Sequence, residues 1–351
     1  MRKLQRQAAR TATRKPGSAG IPQLNHEWQR WIAENLLLGS SVEPIAHRLG
    51  ELGAPANVIA AELQAASSSP YYQAGGTISA RLAKREWVLE SLSRLAAMAL
   101  PREVPVAERP TPDAFLRDHY AASRPLILKG MVDHWAARSW SLDRLEALPG
   151  HTEIEVQTGR EGDATYEIRS EQHKSRMPLR QLLTRLRSGK PSNDYYVTAN
   201  NSGPNRAALA PLWDEIGDMP GFLDSATMRD GFFWMGPKGT ITPFHHDLTN
   251  NFLVQIAGTK RVTLVPIWET PRMLNHIHCY SQWPGPGAFA NLPDGQRPTA
   301  ITCTIGPGDT LFIPVGWWHH VEGLDTTIGL SFTNFVWDND FHTGYQSYGQ
   351  L

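Results

Sequence analysis

The residues of this chain best suited to chemistry stand in the segment Thr242-Pro243-Phe244-His245-His246-Asp247. On an extended strand, side chains two apart share a face, so His245 and Asp247 can look one way while His246 looks the other. A neutral imidazole and a carboxylate on one face are two legs of a metal site. The third leg needs another strand. The run Gly308-Asp309-Thr310-Leu311-Phe312-Ile313-Pro314-Val315-Gly316-Trp317-Trp318-His319-His320 offers one, with His319 standing 74 positions after His245. Only one of the neighbours His319 and His320 can face the ion. Two histidines and a carboxylate on one side of a metal leave its other positions open, which is the ligand set of non-haem iron(II) centres; manganese or zinc would accept it too. A bidentate 2-oxo acid can occupy two open positions and oxygen the third. Oxidative decarboxylation then generates an oxidant able to take a hydrogen atom from an unactivated C–H bond.

The elements that must position these residues read as many short strands. Pro125–Gly130 is a short apolar run closed by glycine, and Ile154–Gln157 alternates as a strand does. Further strands are expected at 195–197, 231–236, 252–256, 261–265, 310–314 and 327–333, separated by Gly and Pro turns. Such a pattern argues for a mainly β sandwich or barrel. Helices are expected to flank it, at Thr111–Tyr120 and Met177–Leu186. Between the two halves of the candidate site, Leu274–Pro293 is a long irregular insertion, either a substrate lid or a structural excursion. Its His276 and His278 mimic ligand spacing, but no carboxylate stands near to complete a second site.

Upstream the texture is helical. Apolar spacing predicts three short helices over residues 25–66, ended by Gly39, Gly53 and the Ser67-Ser68-Ser69-Pro70 breaker. A longer helix is predicted over 78–100, which can sit between protomers of a dimer or serve as a connector. Pro101, Pro105, Pro110 and Pro112 mark a linker. The expected organisation is a basic tail over 1–24, a helical region over 25–105 and the strand-rich domain over 106–351.

Bulk properties exclude several classes. Formal net charge is zero, so no global field draws nucleic acid or an anionic membrane. The tail, with Arg2, Lys3, Arg6, Arg10, Arg14 and Lys15, is locally basic and reads as a solvated terminus. Its composition also suits a mitochondrial targeting peptide, whereas no apolar core of a secretory signal follows it. No stretch is long and apolar enough to span a membrane. The only cysteines, Cys279 and Cys303, make neither a disulfide framework nor a structural zinc site, so a reducing, cytoplasmic setting is expected.

Two blocks, TPFHHDLTNNFLVQIAGTKRVTLVP and PGDTLFIPVGWWHHVEGL, resemble the JmjC-type cupin-like oxygenases. The likeness is to the branch containing the asparaginyl hydroxylase of the hypoxia-inducible factor. Arg124–Gly130 and Asp133-His134-Trp135 are similar to that branch as well, and the resemblance covers roughly residues 110 to 340. It implies a double-stranded β-helix (jelly-roll or cupin) barrel, to which the flanking helices and the small N-terminal helical domain read above are added. It implies iron(II) held by His245, Asp247 and His319, selecting the first of the paired histidines, with 2-oxoglutarate and oxygen as cosubstrates. Lys260 is implied to pair with the distal carboxylate of 2-oxoglutarate, with Arg261 as the rival cation. Thr242 would hydrogen-bond the same carboxylate. Tyr196, with Tyr195 its adjacent rival, would reach the cosubstrate, and Asn251 and Asn334 would line the pocket.

The resemblance implies hydroxylation of a side-chain carbon in a polypeptide, and the family's dimers point to a homodimer. The alternatives are a small molecule or free amino acid as substrate, or a non-catalytic metal-binding scaffold. No nucleic-acid or membrane partner is expected.

Overall fold

The computed structural model describes residues 24–99, 103–149, 152–289, 291–293 and 295–346. The basic tail before Leu24 lies outside them. Two compact units divide between Ala97 and Met98.

In the first unit, helices α1 (His26–Leu37), α2 (Val42–Glu51) and α3 (Ala56–Ser68) bury Trp28, Ile32, Ile45, Leu49, Ile59 and Leu63 against one another. The Asn25 carboxamide caps α1 by accepting from the Trp28 N–H at 3.1 Å. Gly39 and Gly53, at φ 85° and 89°, make the turns. The fourth helix, α4, runs Pro70–Ala99 and starts eight residues earlier than periodicity suggests. The serine run does not break the chain over its length. Ser67 and Ser68 finish α3, with hydroxyls donating back to Leu63 and Gln64 carbonyls. Pro70 then opens α4, at a position where a backbone N–H would have no helical acceptor.

The second unit holds fifteen strands among the described residues. One sheet contains, in order, β1 (Val106–Glu108), β2 (Leu126–Lys129), β13 (Thr310–Ile313), β8 (Asn251–Ala257), β15 (Thr327–Phe332) and β6 (Phe232–Gly236). The facing sheet contains β10 (Asn275–Ile277), β11 (Tyr280–Ser281), β7 (Ile241–His246), β14 (Trp318–Gly323), β9 (Lys260–Val265) and β12 (Ile301–Ile305). From β6 to β9, and again from β12 to β15, the chain winds between the two sheets. This is the double-stranded β-helix of a cupin barrel. A small third sheet, β4 (Lys174–Pro178), β3 (Glu153–Thr158) and β5 (Tyr195–Tyr196), stands beside it. Met177 belongs to β4, so the flanking helix α5 begins at Leu179 and ends at Arg187.

Apolar positions of both sheets, among them Leu253, Val262, Leu264, Leu311, Ile313 and Trp317, form one cluster. The insertion packs on the outer face of the second sheet, where Trp283, Phe289 and Leu292 cover Phe244, Val265 and Trp318. Of the described insertion residues, only Cys279 and Tyr280 reach the barrel interior. The side chain of His276 lies outside the description.

Candidate metal centre

His245, the last residue but one of β7, pairs directly with His319 on the antiparallel β14. Residues opposite each other in such a pair project to the same face, and the two imidazole centroids lie 4.1 Å apart. Asp247 follows β7 immediately. Its Oδ1 is 3.7 Å from His245 Nε2 and its Oδ2 is 3.8 Å from His319 Nε2. One ligand atom from each residue falls within 4.8 Å of the others. Ligands about 2.1 Å from one ion stand roughly 3 to 4 Å apart, so the set can close on a single metal with little movement.

The protonation states suit the task. His245 Nδ1 donates to the Pro243 carbonyl at 2.9 Å, and His319 Nδ1 to the Trp317 carbonyl at 3.0 Å. Each ring therefore turns its Nε2 to the cavity, leaving that nitrogen as the one available to a metal. Burial, helped by the neighbouring His319, pulls the His245 pKa down to about 4, so it is neutral at physiological pH. Burial opposes ionisation of Asp247, but the His319 and His245 imidazoles and the Asn251 amide outweigh it, holding the carboxyl below its ordinary range. Asn251 Nδ2 donates to Asp247 Oδ2 at 3.0 Å, fixing the carboxylate.

A cavity of about 400 Å³ opens beside the triad between the two sheets. Its walls include Phe232 and Trp234 of β6, Thr242 of β7, Asn251 and Leu253 of β8, Lys260 of β9, Val321 of β14 and Ser331 of β15. Lys260 is 1% exposed, and among the described residues no carboxylate pairs with it. Desolvation pulls its ammonium down to about 7. Its Nζ stands 5.9 Å from the Tyr196 ring centroid and 5.7 Å from that of Trp234. A buried cation facing a cavity without a counter-ion is half of an anion site. The residues present thus fit both a divalent metal and a carboxylate-bearing molecule.

Neighbouring rivals separate cleanly. Arg261 is exposed and pairs with Glu322 at 2.9 Å. Tyr195 lies outside the cavity wall with Arg185 against its ring, whereas Tyr196 lines it. His320 faces outward, 5.3 Å from Phe244, and His246 sets its ring edge-on to Trp318. Trp317 and Trp318 are buried packing residues, donating to Ser123 and Thr270.

Thr242 and His245 are an odd number of residues apart, yet both face the cavity. The register against β14 slips by one between these positions, and this bulge turns β7 over. Asn334 is not brought to the wall. Thr333 takes the inward position after β15, and the Asn334 amide turns away to donate to Asp224 O at 3.1 Å and Thr227 Oγ1 at 3.2 Å.

Three wall residues carry no signal in the sequence pattern: Glu167, Asn200 and Tyr280. Glu167 is 7% exposed and pairs with the wholly buried Arg160 at 2.9 Å. It comes from an irregular segment after β3, where no periodicity marks an inward face.

With this barrel and site, the chain belongs to the cupin-like domain family, whose description matches residues 112–343. It is similar to lysine-specific demethylase JMJ30 of Arabidopsis thaliana, 27% identical over 243 residues covering 65% of this chain and 53% of the relative. Lysine-specific demethylase 8 of Xenopus tropicalis is 28% identical over 237 residues, 62% of this chain and 49% of that one. The human bifunctional peptidase and (3S)-lysyl hydroxylase JMJD7 is 26% identical over 297 residues, 72% and 90% respectively. The chain thus spans about half the length of the two demethylases. The resemblance to JmjC-type cupin-like proteins is borne out.

Proposed function

We propose that this protein is an iron(II)- and 2-oxoglutarate-dependent dioxygenase that hydroxylates a side-chain carbon of a protein or peptide. One observation carries the reading: the unpaired, buried Lys260 lines the same cavity as the His245–Asp247–His319 cluster. A cupin scaffold that only stores metal has no need of such a cation.

His245 Nε2, His319 Nε2 and an Asp247 oxygen would hold the iron, which supplies, with 2-oxoglutarate and oxygen, the oxidising power to replace C–H by C–OH. The protein's own part is binding and orientation. Lys260 neutralises the distal carboxylate as a point charge, and the Thr242 hydroxyl donates to it. Tyr196 forms the adjoining wall. Asn251 keeps Asp247 from rotating, and Leu253, Ile313 and Val321 exclude water. Glu167, paired with Arg160 through Oε1, offers the wall an acceptor for a substrate group that carries N–H donors. The names of the relatives agree with that choice, since all three concern lysine.

Demethylation is the second reading. It uses the same step on an N-methyl carbon, and two relatives are named demethylases. Mass spectrometry of lysate peptides after incubation with the enzyme separates the readings: gain of one oxygen atom marks hydroxylation, loss of one methylene marks demethylation. Either product should vanish with Asp247→Ala. Products persisting in that variant would refute both.

A further inference from the structure

Arg160 lies behind the cavity wall, and its side chain is entirely buried. Its Nη2 donates to Glu167 Oε1 at 2.9 Å and to the Ile241 carbonyl at 2.7 Å. That carbonyl belongs to the peptide joining Ile241 to Thr242, at the start of β7. The guanidinium carbon stands 4.3 Å from the Tyr166 ring centroid and 5.2 Å from that of Tyr196. Nε and Nη1 are buried with no hydrogen-bond acceptor among the described residues. The π faces of the two tyrosines are therefore what compensates half of this cation. Tyr166 reinforces the anchor, its hydroxyl donating to the same Ile241 carbonyl at 2.8 Å.

One guanidinium therefore touches a cavity carboxylate, a cavity phenol and the backbone beside a cavity threonine. The Tyr196 ring has two cations near it, Arg160 at 5.2 Å and the cavity-lining Lys260 at 5.9 Å from its centroid. Arg160 is neutralised by Glu167, which leaves Lys260 as the charge open to an incoming anion. Lysine would keep the charge but lose the planar guanidinium that lies near both tyrosine rings while Nη2 donates twice.

We propose that Arg160 is a positioning residue for the cosubstrate: it sets the Tyr196 ring and the Thr242 peptide against 2-oxoglutarate while holding Glu167 toward the substrate. The proposal rests on the cosubstrate reading above. It predicts that Arg160 governs 2-oxoglutarate affinity without touching the ligand or the metal.

The test is calorimetric titration of the full chain with manganese(II) and then with 2-oxoglutarate. Arg160→Lys keeps the charge and loses the planar guanidinium that lies near the Tyr166 and Tyr196 rings. The double variant Arg160→Met with Glu167→Met replaces a buried ion pair by apolar volume, which proteins often tolerate without loss of fold. Manganese affinity should stay within about twofold in both. The 2-oxoglutarate affinity should fall about threefold in Arg160→Lys and about tenfold or more in the double variant, the scale of one or two lost orienting contacts. An arginine with a merely structural role would lower the melting temperature and leave 2-oxoglutarate affinity unchanged; that outcome overturns the proposal. A wild-type protein that binds manganese but no 2-oxoglutarate would overturn the cosubstrate reading and the proposal together.

Discussion

A lysine ammonium buried without a counter-ion weakens the protein that carries it. At Lys260 the penalty is on the order of a few kcal/mol, since burial alone pulls the group down to about 7. An anion in the cavity would reverse it. Two predictions follow from that balance. Lys260→Met should raise the melting temperature of the ligand-free protein, by about 2–4 °C for each kcal/mol relieved. The same change should weaken 2-oxoglutarate binding by about a hundredfold or more, as expected when a buried charge partner is lost, with manganese binding nearly intact. Thermal melts and calorimetry on one preparation measure both. The pH dependence has a definite sign. Below about 7 the free protein carries the ammonium and binds the dianion directly. Above it Lys260 is neutral, so binding must take up a proton, and affinity should fall by up to about tenfold per pH unit. Calorimetry in buffers of different ionisation enthalpy would detect that proton; affinity flat from pH 6 to 9 would remove Lys260 from the anion site.

The strands explain which residues were legible in the sequence. Alternation lets only one of His319 and His320, and one of Tyr195 and Tyr196, face inward, and family likeness selects His319 and Tyr196. The triad and Lys260 could thus be read from spacing and family likeness. Thr242 is different. Its place beside His245 depends on the one-residue slip between β7 and β14, for which Pro243, unable to donate to the ladder, is the residue-level sign. Arg160 and Glu167 carry no signal because they lie outside the barrel strands, Arg160 on a turn begun by Gly159 at φ 72° and Glu167 in the irregular segment after it. Asn334 shows the opposite case, a residue transferred by likeness whose amide points away from the cavity.

Where β8 turns into β9, Gly258 adopts φ 70°, and a Cβ there would come within 2.1 Å of the Thr326 carbonyl oxygen. The Gln255 amide pins this turn by donating to the Ala257 and Gly258 carbonyls. Lys260 begins β9 two residues on. Gly258→Ala should therefore destabilise the second unit by more than about 1 kcal/mol and weaken 2-oxoglutarate binding at the same time. Denaturant unfolding with an unchanged midpoint would show that the turn does not constrain the site.

At the scale of the whole molecule, the helical unit and the cupin unit have separate cores. Calorimetric unfolding should show two transitions, only one of which moves upward when manganese(II) and 2-oxoglutarate are added, because ligands stabilise the unit that binds them. Both transitions moving together would mean that the units unfold as one.

The central claim is that His245, Asp247 and His319 hold one iron beside a 2-oxo acid. Anaerobic visible absorption tests it most directly, since iron(II) chelated by a 2-oxo acid gains a metal-to-ligand charge-transfer band that neither component has alone. The wild-type protein should develop this band at one iron per chain, and Asp247→Ala should not. A wild-type protein that stays colourless with saturating iron(II) and 2-oxoglutarate, or a variant that colours equally, would contradict the account.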